Sequence, residues 1–178
     1  MDQTLIAIPL ITSFVFWIIG ISGTLRRTLV TILLSLAAMI LAYQHFDAMA
    51  AVVRDIFGRN LTTNQSYALG FGGGLIGALI LLYVLYAVLW KRNTYQSDYQ
   101  PGGLRLVQSL FTTIIGWGLG TLLAACYLQL IMDPFPRYFS ANSSVLWNLF
   151  RFTLNVITVL VRPWLVDAPP QFIQQLGL

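Results

Sequence analysis

Uncharged, mostly apolar residues run along this chain in four long blocks, at residues 5–21, 28–46, 67–90 and 106–131, none of which holds an Asp, Glu, Lys or Arg. At about 1.5 Å of rise per residue, each block is long enough as a helix to cross a hydrocarbon core of roughly 30 Å. Lipid offers the backbone no hydrogen-bond partner, so each block must satisfy its own amides and carbonyls by coiling into a helix. The pattern predicts an all-α fold, an integral membrane helical bundle of four transmembrane helices filling residues 1–135.

Two further segments alternate in polarity instead of staying apolar. Residues 47–57 put Met49, Val52, Val53 and Ile56 on one side and Arg54 and Asp55 on the other, which predicts a short interfacial helix ended by Gly58. The second segment dominates a C-terminal amphipathic region at residues 136–178, where Asn148, Arg151, Asn155, Thr158 and Arg162 recur at alternating steps of three and four. Only ten uncharged residues separate Arg151 from Arg162, about 15 Å of helix. That is too short to cross a bilayer, so residues 145–165 read as an interfacial helix, started by Ser143 or Ser144 and stopped near Pro163. A fifth span packing this stripe against partners is the alternative.

Small residues mark where helices approach one another. Gly70, Gly74 and Ala78 stand four apart in the third block, as do Gly73 and Gly77; Gly116, Gly120 and Ala124 repeat the spacing in the fourth. Such stripes make grooves that admit another backbone, so spans three and four are expected to pack together or onto partners. Gly72, Gly74 and Gly77 also satisfy G-x-G-x-x-G, with Asp98 about twenty residues on. The context excludes a dinucleotide fold, because the glycines lie inside a continuous apolar run with no preceding strand.

Charge refines the picture. Of 178 residues 57% are hydrophobic and 9% charged, the mean hydropathy is +0.75, and the formal net charge is +4. Every charge but Asp2 falls in a connection or in the C-terminal segment, which suits contact with anionic lipid and not with nucleic acid. Arg26 and Arg27 mark connection one, Lys91, Arg92 and Arg105 mark connection three, and connection two is balanced. By the positive-inside rule both termini lie outside the cytoplasm, although Arg137, Arg151 and Arg162 then fall on the outer side. The residues expected to meet lipid or a partner are Arg26, Arg27, Lys91, Arg92, Arg151 and Arg162. Asp2 is the one charge before the first block, so a retained span is expected there and not a cleaved signal peptide.

Catalytic material is scarce. His45 is the single histidine and Cys126 the single cysteine, so no metal-ligand spacing and no nucleophile–base pair is visible. No catalytic, cofactor-binding or metal residue is assigned, and the expectation is a non-enzymatic protein. Charge-free spans also argue against a proton relay. The concentrated polar supply for any transport path is Gln108, Thr112, Thr113, Thr121 and Gln129 in the fourth block.

The run Gly20-Ile21-Ser22-Gly23-Thr24-Leu25-Arg26-Arg27, followed by a span ending Leu41-Ala42-Tyr43, resembles the colicin V production protein (CvpA) family. The resemblance extends to a polar connection, the Gly116-x-x-x-Gly120 span and an amphipathic C-terminal segment opening near Ser143-Ser144. Arg27 stands where that family usually has Gly, and Thr28 and Thr31 occupy the early second span, where it often has an acid. The resemblance implies a four-span, multi-pass protein of the bacterial inner (cytoplasmic) membrane, linked to secretion, transport or envelope homeostasis, and it transfers no catalytic residue. Beside it stands a second expectation: a structural or accessory subunit of a larger bacterial inner-membrane protein complex, respiratory or photosynthetic. Its partners would be membrane lipids and other membrane subunits, or further copies in a homo-oligomer.

The charge pattern generates a topological prediction. Replacing Arg26 and Arg27 together with Asn should raise the fraction of inverted chains, read as reversed accessibility of engineered cysteines in the first connection. Unchanged labelling would remove the cytoplasmic assignment of that connection.

Overall fold

A computed structural model describes residues 2–57, 61–90, 102–131 and 145–164, and every regular element among them is helical. In chain order these are α1 (Asp2–Ser22), α2 (Leu25–Phe57), α3 (Thr63–Trp90), α4 (Gly102–Ile131) and α5 (Val145–Val161), the last followed by a 3-10 turn at Arg162–Trp164. Three helices are long and apolar enough to cross a membrane, Leu25–Phe57, Thr63–Val88 and Gly102–Ile131, while the apolar stretch of α1, Ile6–Ser22, is shorter. Gly58, Lys91, Arg92, Asp98, Arg137, Ser143 and Ser144 lie outside the described residues.

Local chemistry sets the helix starts. The Thr24 hydroxyl accepts the Arg27 amide at 3.4 Å at the head of α2. Thr62 and Gln65 exchange bonds at the head of α3: the Gln65 amide donates to Thr62 Oγ1 at 3.2 Å, and the Thr62 amide donates to Gln65 Oε1 at 3.1 Å. That reciprocal pair is a capping box, which satisfies two amides the helix itself leaves bare.

The segment at 47–57 is not a separate surface helix. It is the last third of α2, one continuous helix of 33 residues. Phe46-Asp47-Ala48-Met49-Ala50 holds no Gly or Pro to break the hydrogen-bond ladder. Tertiary packing also holds it straight: Ala50 is fully buried against Gly70 of α3, where a methyl on Gly70 would stand 2.5 Å from the Ala50 nitrogen. Met49, Val52 and Ile56 point outward, and the Arg54 guanidinium lies 5.1 Å from the centroid of the Tyr67 ring.

The closest neighbours are α1 with α4 and α2 with α3, so the stripes of spans three and four do not chiefly meet each other. The reason lies in which backbones reach them. Gly116 receives Phe16 and the Thr12 carbonyl, Gly120 receives Ile8, Pro9 and Thr12, and Gly20 of α1 receives Ser109 and Thr112. Rising numbers on α1 meet falling numbers on α4, so the pair is antiparallel. Between α2 and α3 the contact is aromatic, with Tyr43 edge-on to Phe71 at 4.9 Å and Phe46 to Tyr67 at 5.7 Å. Such pairs add about 0.5–1.5 kcal/mol each beyond the area they bury.

The core is built of Tyr43, Phe71, Leu75, Leu119, Leu122 and Leu154, all fully buried. Around it the surface is apolar: Ile11, Leu33, Ile80, Val88 and Ile114 are each at least 60% exposed. A surface of this kind is stable in lipid and is an aggregation liability in water.

Two glycine substitutions separate tight from open packing. Gly120→Ala puts a methyl 2.5 Å from Pro9 Cα, and should destabilise the detergent-solubilised protein by about 1–3 kcal/mol. Gly73→Ala meets nothing within 4 Å, and should be neutral or stabilising by about 0.5–1 kcal/mol. Equal effects in thermal unfolding would contradict the α1–α4 contact.

Candidate functional site

Three regions of the bundle hold the residues singled out from the sequence, and a fourth, the groove under α5, holds residues that were not. The first is a polar level at one end, where α1 finishes and α2 and α4 begin. Gly20 sits on Ser109 and Thr112, and Gly23, in the turn after α1, sits beside the Thr28 hydroxyl. Thr28, Gln108, Ser109 and Thr112 are all buried there. Arg26, Arg27 and Arg105 stand exposed at the same end, which fits contact with acidic headgroups.

Most hydroxyls in this region are spent on their own helix. Ser109 donates to the Leu106 carbonyl at 2.8 Å, Thr112 lies 3.0 Å from the Ser109 carbonyl, and Thr113 donates to that same carbonyl at 2.6 Å. The amides are different. Gln108 and Gln129 are buried near opposite ends of α4, and neither side-chain oxygen nor nitrogen has a hydrogen-bond partner. Of the polar supply in the fourth block, Gln108, Thr112, Thr121 and Gln129 are buried and Thr113 is half-buried.

The second region is the outer face of α3. Gly70 and Gly74 turn inward to Ala50 and Met49 of α2, whereas positions 73 and 77 open onto empty space with nothing within 4 Å. The two stripes of span three thus separate into an occupied one and a vacant one. Ile76, Ile80, Leu81 and Val84, all exposed, flank the vacant one.

The third region is α5. Phe150, Leu154, Ile157 and Val161 form its buried face, and they belong to the same core as α2 and α4. Ile157 lies against Gly118, as does Met39, and the Trp117 indole N–H donates to the Thr153 hydroxyl at 3.1 Å. At its far end the Gln44 amide donates to the Trp164 carbonyl at 2.9 Å. These contacts set α5 beside Met39 and Gln44 of α2 and the middle of α4. Shape is the cause: Gly118 leaves a depression in α4 that the Ile157 side chain fills. Arg151 is half-buried and Arg162 exposed.

Under α5 is a groove of about 210 Å³, lined by Leu36 and Met39 of α2, Ile115 and Gly118 of α4, and Val156 and Leu160 of α5 among others. Its walls are apolar, so it can take an alkyl chain and offers a charged solute nothing. Gly118 and Trp117 were not singled out from the sequence, and Gly20 was named there for the family resemblance and not for packing. Gly20 had a usable signal, since it is the one glycine of the first block, and a glycine inside a helix costs stability unless a neighbour needs the room.

His45 is exposed and Cys126 buried. Compared with known proteins, the chain matches no protein-family model, no curated protein and no solved structure.

The unused amide at Gln108 yields a test. Gln108→Leu removes a buried polar group that makes no bond, and should leave thermal stability unchanged or raise it by about 1 kcal/mol. A loss of that size would mean that the amide is hydrogen-bonded in the membrane.

Proposed function

We propose that this protein is a non-enzymatic, four-span accessory subunit of a larger complex in the bacterial inner membrane, with α1 crossing the bilayer alongside α4. The observation that carries the reading is the vacant stripe at Gly73 and Gly77. Glycine in a helix interior is costly against alanine, and here no described residue recovers the cost. A transmembrane helix of another subunit laid along this stripe would recover it through close backbone contact. The basic end formed by Arg26, Arg27 and Arg105 would sit in the cytoplasmic headgroups and fix the orientation.

A second reading, transport or secretion of the colicin V production type, is favoured by the two buried glutamines without partners. In a conducting state their amides would bond to water or solute.

Purification in mild detergent tests the first reading. Stoichiometric partner subunits should accompany the native chain and be lost from the Gly73→Leu, Gly77→Leu double variant, whose own folding stays intact because both sites are open. Absence of partners from the native preparation, together with solute flux in liposomes that Gln108→Leu abolishes, would replace it with the second.

A further inference from the structure

Two helices begin at the same end of the bundle. α1 hands the chain to α2 through Gly23 and Thr24, and because α1 is antiparallel to α4, α4 starts there as well. A helix N-terminus carries a positive partial charge, which acidic residues in the first turn ordinarily balance. Neither first turn holds an acid. Arg26, Arg27 and Arg105, all exposed, add three full positive charges to that end.

Register carries Arg105 to the head of α2. Gly120 meets Pro9, Gly116 meets Phe16, and Ser109 and Thr112 meet Gly20; position 105, one turn earlier on the same stripe of α4, falls level with Thr24 and Leu25. Beneath it two polar side chains are left over. Thr28 is 2% exposed with no partner for its hydroxyl, and Gln108 is 3% exposed with neither amide atom bonded. The Thr28 hydroxyl is turned to the connection, since a methyl on Gly23 would stand 3.2 Å from it. Gln108 shares its level, because α2 and α4 run in the same direction and Met39 lies over Gly118.

We propose that this end binds the headgroup phosphate of one anionic phospholipid, held between Arg105 and the first turn of α2. Phosphate oxygens accept hydrogen bonds, and the groups gathered there donate: the guanidinium fork of Arg105, the first-turn amides of α2 and the Thr28 hydroxyl. Gln108 both donates and accepts, which suits a headgroup carrying a hydroxyl beside its phosphate. The missing side chain of Gly23 keeps the approach to Thr28 open. The occupant is a lipid and not a free anion because exposed Leu25, Leu29, Leu106 and Val107 surround the charges with surface that acyl chains cover. The site rests on the placement of the basic end among headgroups, and not on the accessory role itself.

Lipid binding to the purified full chain tests it, with phosphatidylglycerol or phosphatidylcholine added to the detergent micelles and bound lipid counted by native mass spectrometry. The native chain should hold one phosphatidylglycerol and prefer it to phosphatidylcholine. Arg105→Gln should weaken that binding about fivefold. Thr28→Val should weaken it with unchanged thermal unfolding in lipid-free detergent, and Arg54→Gln, at the other end of the bundle, should leave it as it was. Equal binding of the two lipids, or binding unchanged in both Arg105→Gln and Thr28→Val, overturns the site. Equal weakening by Arg54→Gln assigns the effect to net charge and displacement by inorganic phosphate assigns it to a free anion; either result overturns the site too. Partner copurification is read in the same preparations. Lipid absent with partners retained defeats this site alone, and partners absent with lipid retained defeats the accessory-subunit reading alone.

Discussion

The bundle depends on the backbone of α1 lying directly against the backbone of α4. Between lipid-bathed helices there is no hydrophobic effect to draw them together, since tails are as apolar as leucine, so attraction comes from dispersion at short range. Gly20, Gly116 and Gly120 permit that range by presenting no side chain, and Pro9, Thr12 and Phe16 fill the space they leave. The rest is arranged around this pair. With α1 closing one side of α4, the other side is free to receive α2, α3 and α5, and the turn at Gly23 and Thr24 delivers α2 to it.

Many hydroxyls of the bundle are handled in one way, although those of Ser13 and Thr28 are buried without a partner. Thr12, Ser22, Ser35, Ser66, Thr121 and Thr153 all donate to a carbonyl one turn back on or beside their own helix. That bond costs no tertiary geometry and lets a hydroxyl sit in an apolar seam. Glutamine is too long for the same solution, which is why Gln108 and Gln129 stand out. Gln65 shows the contrast: placed at a helix start, it completes a capping box and reaches the Leu130 carbonyl at 3.2 Å.

The apolar outer surface and the unfilled α3 stripe are different in kind. Exposed leucine and isoleucine are matched by lipid and need no partner. Vacant glycines forgo packing that a helix could supply. Only the glycines argue for a protein contact.

The helical, membrane-embedded class was legible in the residues, because charge-free runs of that length have one stable backbone solution in lipid. The contact potential of Gly70, Gly116 and Gly120 was equally legible, since absence of a side chain is a property of the residue itself. Which helix fills each groove was not, because a small-residue stripe states that something can come close without stating what does. Amphipathic pattern likewise showed that α5 has two faces, yet gave Arg151 and Thr158 the same weight as Asn155. Their order of exposure was decided by the seating of Ile157 on Gly118, a contact between residues 39 positions apart. The continuation of α2 through Asp47 to Phe57 was decided in the same way, by Ala50 seating on Gly70. Local pattern fixes a backbone and its polarity, whereas depth, neighbours and outward faces follow from shape complementarity between distant segments.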